Sequence, residues 1–361
     1  MIEEIILILL GFLFAGFSIV FFLIFKFAKP DIIRKDYGYI PKVSIVIPTM
    51  NEERIVENRL RNIVQMNYPH DKLQVIFVDN SEDATPEIIK NYARKYPFLT
   101  LLKQEKSGFN NALNQGYSAA SGEIVIKSDC TALPNANAIR EIVANFADNS
   151  IGAVCGVHVF NGANDALEKE FKGAMYKVQL MESYFHSSLI SHGSFGAYRK
   201  LLTPTLGEEI TADDSEVVVN VVRNGYRAII DPEVKSEEEV PNGFRERRSQ
   251  KNRRAAGVIR VLFRNLDMLF NKKYGNFGMV TMPVDLFLLV ISPIVLFTLL
   301  ILWSYYLMIN PSVSLLLSTL LVSCFAAFSI AISVKVRATA DTYISCFVGI
   351  FQSFSKKKTW K

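Results

Sequence analysis

The sequence predicts an α/β domain with a mostly parallel sheet, tied to a membrane by three transmembrane helices and an interfacial amphipathic helix. Three observations support this fold class. Short β-branched runs alternate with amphipathic stretches between residues 40 and 243, and apolar segments of membrane-spanning length lie on both sides of this region. Ten Lys or Arg residues are interleaved with apolar residues at helical spacing in the segment 244–275.

The elements of the domain follow one another in strand–helix order. Strands are predicted at residues 43–47, 75–78, 98–102 and 123–126. Helices are predicted at residues 52–65, 85–92 and 108–120, with Asn51 near the cap of the first and Pro86 in the first turn of the second. Near-continuous apolar strands between helices are typical of a parallel sheet covered on both faces. Ligands of such a sheet bind beyond the carboxyl ends of its strands.

Three apolar segments, at residues 5–25, 284–309 and 312–334, are long enough to cross a hydrocarbon core of ~30 Å at ~1.5 Å per residue. The first follows an acidic start, Glu3-Glu4, and no small-residue cleavage pattern comes after it, so we expect an uncleaved anchor rather than a signal peptide. The predicted regions are an anchor (1–28), the α/β domain (40–243), the basic amphipathic segment (244–275), two spans (284–334) and a basic tail (335–361).

The distribution of Lys and Arg predicts the orientation in the cell membrane. Lys26, Lys29, Arg34 and Lys35 follow the first span, while Lys335, Arg337 and the lysines at 356–358 follow the third. Positive charge favours the cytoplasmic side, so the α/β domain and the C-terminus should both be cytoplasmic in a multi-pass protein. The net charge of +5 mostly reflects this excess and gives no reason to expect a nucleic acid partner.

The four cysteines show no C-x-x-C spacing, which indicates a reducing compartment and no zinc site. Two other segments concern the membrane surface. The segment 244–275 is expected to lie in the interface, with an ordinary helix packed under the domain as the alternative. The apolar stretch 343–354 is short and is expected to be interfacial or re-entrant.

Polar residues follow the first two predicted strands. Pro48, Thr49, Asn51 and Glu52 come after the first, where backbone amides at a helix start and a carboxylate can hold a nucleoside and its phosphates. Asp79 comes after the second and could accept hydrogen bonds from a base or ribose. The alternatives are an ordinary helix cap for the first group and a turn residue for Asp79.

Three further carboxylates are candidates for catalysis. Asp129 follows another strand and offers one sure carboxylate to Mg²⁺ or Mn²⁺, because Thr131 stands where a second acid would serve. Asp213 and Asp214 either decorate a helix N-terminus, where the dipole favours them, or supply a general base that deprotonates a hydroxyl.

Gln250, Arg253 and Arg254 occupy one face of a predicted helix. Cations on such a face can clamp a leaving diphosphate, although basic residues beside a membrane often face lipid headgroups instead.

The combination of these motifs resembles the membrane-bound family 2 glycosyltransferases, the group that includes ceramide glucosyltransferase and the hyaluronan and cellulose synthases. The resemblance covers roughly residues 40–260 and implies a Rossmann-like fold of the GT-A type. It rests on the order and spacing of 43–53, Asp79, Asp129-x-Thr131-x-x-Pro134, Ala212-Asp213-Asp214, Asn224-Gly225-Tyr226-Arg227 and Gln250-x-x-Arg253-Arg254.

The resemblance also implies roles. Asp79 looks like the nucleoside contact, Asp129 like the first acid of the D-x-D motif and metal ligand, and Asp214 like the base that activates the acceptor. Gln250 and Arg253 match a motif that closes over the diphosphate. Ser107 and Gly108 fall in a loop beside the donor, and the acceptor pocket would be lined by His192, Gly193, Ser194 and Phe195.

The implied function is inverting transfer of a sugar from a nucleotide-sugar, with UDP as the expected nucleotide, to a lipid or glycan acceptor. Three departures bear on it: Thr131, Phe109 in place of a lysine, and Arg254 in place of a tryptophan that can stack on a sugar. The last favours adding one or few sugars to a membrane lipid over processive polysaccharide synthesis. A non-catalytic nucleotide-sugar-binding membrane protein is a further alternative, and a channel is disfavoured because the spans offer little charge.

Overall fold

The computed structural model describes residues 2–27, 34–159, 166–191, 193–237 and 244–354. Eight strands form one mixed sheet in the order β3-β2-β1-β4-β7-β6-β8-β5. They are β1 (Val43–Thr49), β2 (Leu73–Asp79), β3 (Leu99–Lys103), β4 (Ile124–Ser128), β5 (Leu133–Pro134), β6 (Ile151–Val159), β7 (Phe195–Arg199) and β8 (Arg227–Glu237).

Parallel pairing dominates the half of the sheet that the sequence predicts. β1 pairs in parallel with β2 and β4, and β2 with β3, while β7 runs antiparallel to both β4 and β6. β6 and β8 are again parallel, and β5 is antiparallel to β8. The mostly parallel sheet is therefore confirmed, and the antiparallel β7 enters at its centre.

Helices cover both faces of this sheet, because the strands alternate buried side chains between two apolar clusters. Ile45 and Ile47 pack toward α2 and α5, whereas Val46 packs toward α4. The twelve helices in the described residues are α1 (Ile2–Phe27), α2 (Val56–Val64), α3 (Thr85–Ala93), α4 (Phe109–Ala119), α5 (Ala138–Ala144), α6 (Ala166–Phe185), α7 (Asp213–Arg223), α8 (Phe244–Arg264), α9 (Met282–Leu286), α10 (Ser292–Ile309), α11 (Val313–Ile332) and α12 (Val334–Ser353).

Helix α2 begins four residues later than predicted, and the expectation that Asn51 lies near its cap is wrong. Asn51 has a left-handed backbone, with φ of 58°. Its amide donates to the Ser81 hydroxyl at 2.7 Å, and its side-chain oxygen accepts from the Glu82 amide at 3.0 Å. Asparagine tolerates this backbone conformation better than most residues. Asn51 therefore joins the loops after β1 and β2 instead of starting a helix.

Among the described residues, three helices are long and apolar enough to cross a membrane, over Ile2–Val20, Phe277–Ile309 and Val313–Ile330, in agreement with the three predicted spans. The second starts earlier than expected, since π-helical turns at Phe277–Thr281 and Phe287–Ile291 make α9 and α10 continuous. It packs closely on the first: a Cβ on Gly16 would lie 2.3 Å from the Phe287 ring.

The second span contains an aspartate, Asp285, near its start. Asp285 is 3% exposed and interacts with the buried Glu182 of α6. Burial and the Asp285 carboxyl raise the pKa of Glu182 well above its ordinary value, and the Ser188 hydroxyl donates to Glu182 Oε2 at 2.7 Å. A neutral Glu182 lets two carboxyls share this buried position.

Helix α8 links the α/β domain to α12. Its apolar face is buried, with Ile259 and Leu262 almost fully enclosed. On its polar side Arg248 and Lys251 form ion pairs with Asp341 of α12 at 2.7 and 2.9 Å. Residues 343–353 belong to α12, and Phe354 follows its last residue. The interfacial placement of both helices stays a prediction.

Candidate active site

The pairing of β4 with β7 brings two predicted groups of site residues together. Asp129 directly follows β4, and its amide donates to the Ser194 carbonyl at 3.1 Å. Phe195, the first residue of β7, is opposite Ser128. The expected metal ligand and the expected acceptor loop, Gly193 to Phe195, therefore lie side by side. His192 falls outside the described residues.

Asp213 and Asp214 form the first turn of α7, and Asp214 points toward the same place. A Cβ built on Gly193 would lie 3.3 Å from Asp214 Oδ2. The other oxygen, Oδ1, accepts from the Ser215 amide at 2.9 Å. Burial and the neighbouring Asp213 carboxylate raise the pKa of Asp214 to about 6, against the opposing effect of Lys127. A carboxylate with such a pKa is suited to proton abstraction near neutral pH.

Lys127 is a site residue that the sequence reasoning missed. It occupies β4, its side chain is 4% exposed, and its ammonium group forms an ion pair with Asp213. A signal was present: a lysine ends the apolar run Ile124-Val125-Ile126 in a strand expected to be buried. A buried charge in a sheet needs a partner of opposite sign. For Lys127 that partner is Asp213, which is adjacent to Asp214.

The basic face of α8 lies close enough to these carboxylates for their charges to act on Arg253. Burial and the neighbouring Arg254 lower the pKa of Arg253, while the carboxylates of Asp129 and Asp213 oppose that effect. The charge of Arg254 also acts on Asp214 and favours its ionised form. Gln250, one turn earlier on α8, is partly buried. The cations of α8 and the carboxylates that follow β4 and begin α7 thus lie in one region, which we call the cleft.

Asp79 lies at the end of β2 with its carboxylate held by its own loops. Oδ1 accepts from the Thr49 hydroxyl at 2.7 Å and from the Ser81 hydroxyl at 2.6 Å. Oδ2 accepts from the Ser81 amide at 3.2 Å. Asp79 is 5% exposed. These contacts match the turn-residue alternative and fix the edge of the cleft.

The expectation that amides after Pro48 form a phosphate cradle is wrong for the amides of residues 51–53. The Glu52 amide donates to Thr85 Oγ1 at 2.8 Å, and the Glu53 amide donates to Asp83 at 3.1 Å. Because α2 starts later, these amides are used to hold the two loops together. The Glu52 side chain, by contrast, is only half-buried and lies near Asp129.

The loop that contains Ser107 and Gly108 is exposed beside the cleft. Gly108 has φ of 118°, which a residue with a Cβ rarely adopts. The Gln104 side-chain amide donates to the carbonyls of Lys106 and Gly108, each at 2.7 Å. The next residue, Phe109, places its ring 5.1 Å from the Lys127 ammonium group.

Arg59 is a second residue that sequence reasoning missed. It lies on α2, is fully buried, and donates to the Ser128 hydroxyl at 2.8 Å and to Asn62 Oδ1 at 2.6 Å. Burial lowers the pKa of Arg59 to about 10, although Cys130 and Asp129 oppose this effect. Arg59 therefore holds the last residue of β4, Ser128, by a buried hydrogen bond. No pattern in an amphipathic helix separates such an arginine from an exposed one.

A divalent cation fits the donor set on this side of the cleft. Burial raises the pKa of Glu52, with a further contribution from the charge of the Asp129 carboxylate. No group of three or more His, Cys, Asp or Glu side chains arranged for a metal occurs among the described residues. Mg²⁺ is commonly held by one or two carboxylates together with substrate phosphates, and Asp129 with Glu52 meets that requirement.

A mostly parallel mixed sheet with carboxylates at its strand ends, a cationic helix beside them and three candidate membrane helices matches a GT-A-like fold. The family model described as glycosyl transferase family 2 matches residues 44–206. The chain therefore carries a glycosyl transferase family 2 domain, and the family and enzyme class expected from the motifs are confirmed.

The whole chain resembles one solved structure. The mannosyltransferase PcManGT from Pyrobaculum calidifontis, in complex with GDP-Man and Mn²⁺, superposes with a TM-score of 0.83 at 26% identity and covers 99% of this chain and 100% of its own. The likeness includes α7, α8 and the membrane helices, which the family model does not reach.

Two of the curated relatives match part of this chain. The probable glycosyltransferase YdaM of Bacillus subtilis is 28% identical over 66% of this chain and 60% of its own length. The beta-monoglucosyldiacylglycerol synthase of Trichormus variabilis is 31% identical over 48% of this chain and 37% of its own length. The matched regions thus span less than two thirds of either relative.

Proposed function

We propose that the protein is a membrane-bound inverting glycosyltransferase that moves a sugar from a nucleotide-sugar to a hydroxyl of a membrane lipid at the cytoplasmic face. The observation that carries the proposal is the meeting of Asp129, Asp214 and the Gly193–Phe195 loop in one cleft beneath the cationic face of α8. This arrangement offers separate places for a charged leaving group and a base.

The donor binds at the β1, β2 and β4 ends of the sheet. Asp129, with Glu52, would hold Mg²⁺ or Mn²⁺ against the diphosphate, where the cation neutralises phosphate charge. Asp79 and Thr49 keep the neighbouring loops in place for the nucleoside, and UDP remains the expected nucleotide. The further donor contacts that we propose are Pro48, Asn51, Ser107, Gly108, Gln250, Arg253 and Arg254.

The acceptor hydroxyl binds beside Gly193, Ser194 and Phe195. Asp214 takes the hydroxyl proton as the acceptor oxygen forms a bond to the anomeric carbon. The bond from that carbon to the diphosphate oxygen breaks, and its electron pair leaves with the nucleoside diphosphate. Arg253 and Arg254 stabilise this charge. Attack from the opposite face inverts the anomeric configuration.

A lipid acceptor is supported by the position of the cleft relative to the membrane helices. Helix α8 contributes both the cationic face and the contacts with α12, so the diphosphate end of the site is mechanically joined to the helices next to the spans. The Trichormus relative is by name a synthase of a glucosylated diacylglycerol, and a diacylglycerol belongs to the same acceptor class.

The test is a screen of the purified full-length chain in lipid nanodiscs against UDP-, GDP- and dTDP-sugars with Mg²⁺ or Mn²⁺. We expect nucleoside diphosphate release from one donor that requires added membrane lipid, with a product carrying one or few sugars. If none of the donors yields nucleoside diphosphate although one of them binds, the non-catalytic alternative would be supported. A long polymer would support the processive alternative.

A further inference from the structure

Lys127 lies where a strand of the central sheet ordinarily carries an apolar residue. β4 alternates its side chains between the two faces of the sheet, so Lys127 shares the face of Val125, which packs in the cluster of α4. Its side chain is 4% exposed. A buried ammonium group at such a position costs free energy unless opposite charges surround it.

Opposite charges do surround it, and they come from two separate parts of the chain. Lys127 is ion-paired with Asp213 at the start of α7, and the charges of Asp129 and Asp214 also act on it. The buried ion pair therefore holds the Lys127 ammonium group in place beside the carboxylates of α7. This ammonium group lies over the Phe109 ring, which contributes a cation–π contact.

Lys127 and Asp214 both lie next to Gly193. A Cβ built on Gly193 would lie 2.7 Å from Lys127 Nζ and 3.3 Å from Asp214 Oδ2, so both atoms flank the same glycine. Asp213 and Asp214 are adjacent in sequence, and two neighbouring carboxylates in a partly buried site resist being ionised together. Lys127 provides the opposite charge that pairs with Asp213 next to Asp214.

The charges that act most strongly on Asp214 come from three elements. They are Asp213 on its own helix, Lys127 from β4 and Arg254 from α8. Asp214 in turn acts on the buried phenols of Tyr117 and Tyr198, from α4 and β7. Of the cations, Arg254 is exposed on α8, whereas Lys127 is held inside the sheet. The pair Lys127–Asp213 is thus the fixed part of the electrostatic surroundings of the base.

We propose that Lys127 is a positioning residue for the transfer reaction, which neutralises Asp213 and so leaves Asp214 as the carboxylate that accepts the acceptor proton. This inference rests on the proposed function, because it concerns the same base. It assigns a role to a residue that none of the motifs includes, and it makes Asp213 the partner of a cation rather than a second base.

The experiment is the pH dependence of kcat/KM for sugar transfer by four full-length proteins: the parent, Lys127→Met, Lys127→Arg and Asp213→Asn. Without the lysine charge, two carboxylates repel each other, so the acid limb of Lys127→Met should move up by about one pH unit or more. Asp213→Asn leaves Lys127 facing Asp214 alone, so its acid limb should move down. Lys127→Arg keeps the charge and should stay within about 0.3 unit of the parent.

The opposite directions separate this role from a merely structural one, because loss of packing lowers kcat/KM at every pH without moving the limb. Acid limbs that coincide in the parent, Lys127→Met and Asp213→Asn would overturn the inference, as would shifts in the same direction. If Lys127→Met does not fold, Asp213→Asn and Lys127→Arg still give the test. A parent protein that transfers no sugar would contradict the proposed function itself, which is a different outcome.

Discussion

The amide of Asp129 donates a 3.1 Å hydrogen bond to the carbonyl of Ser194, which joins the loop after β4 to the loop before β7. The first loop carries the expected donor-side carboxylate, and the second the expected acceptor side. Because this bond continues the antiparallel β4–β7 ladder, the sheet itself sets the separation between the two halves of the cleft. Small changes on the loop before β7 should therefore affect transfer more than donor binding.

Gly193→Ala tests the acceptor side of the cleft. The added methyl would come 2.7 Å from Lys127 Nζ and 3.3 Å from Asp214 Oδ2, so the loop must shift. We expect a fall in transfer of about 10²-fold, because misplacement of ~1 Å at a reacting centre has that effect. Donor affinity, measured by calorimetry, should change little. Gly173→Ala is the matched control, since nothing lies within 4 Å of its Cβ. Equal activity in the two variants would remove Gly193 from the cleft.

Divalent cation dependence tests the donor side. EDTA should abolish transfer, and Mn²⁺ or Mg²⁺ should restore it. Asp129, Glu52 and the diphosphate are all negatively charged, so a divalent cation is needed for the diphosphate to bind beside these carboxylates. Asp129→Asn should raise the cation concentration for half-maximal activity by tenfold or more. The readout is a titration of activity against free Mn²⁺. Full activity in EDTA, or an unchanged titration for Asp129→Asn, would contradict this assignment.

The pH profile tests the protonation of the base. Since the pKa of Asp214 is raised to about 6, the base is protonated below that pH and ionised above it. We expect kcat/KM to fall by about tenfold per unit below pH 6 and to be flat from about pH 7 to 8. Initial rates at subsaturating acceptor between pH 4.5 and 8.5 measure it. A rate that stays constant down to pH 5 would argue against a carboxylate with this pKa.

Asp341→Asn tests the joint between α8 and α12. It removes the charge that pairs with Arg248 and Lys251, all three being largely shielded from solvent. Loss of this partner should cost about 1–3 kcal/mol, or roughly 1–4 °C in apparent Tm in detergent for a chain of this length. Asp267→Asn is the control, because its ion pair with Arg223 is more exposed and should contribute less than ~1 kcal/mol. Equal shifts in Tm would mean that α8 is not held by Asp341.

The parallel half of the fold was predictable because its strands are buried on both faces. Ile45, Val46 and Ile47 are all fully buried, so the sequence shows an apolar run without alternation. The antiparallel β7 was not predicted as a strand, since Phe195-Gly196-Ala197 lacks β-branched residues and is held by its neighbours β4 and β6.

Sequence motifs pointed to some residues of the candidate site, whereas other residues belong to it only because of the way the chain folds. Asp129, Asp214 and Arg253 belong to spaced motifs, and the fold brings them together. Lys127 and Arg59 belong to no motif, because their roles depend on which face of a strand or helix turns inward. The start of α2 was misplaced for a related reason: the contacts that hold Asn51 in a loop come from a segment thirty residues away.

Asp214→Asn measures most directly whether Asp214 is the base. The pKa of Asp214 is raised in the folded protein, so its ionised form reduces stability as pH rises through about 6, and the neutral Asn should not lower the apparent Tm at pH 7.5. We predict that transfer falls by about 10²–10⁴-fold while the donor affinity stays within about threefold of the parent. Turnover within tenfold of the parent, with the same donor affinity, would show that another group takes the proton.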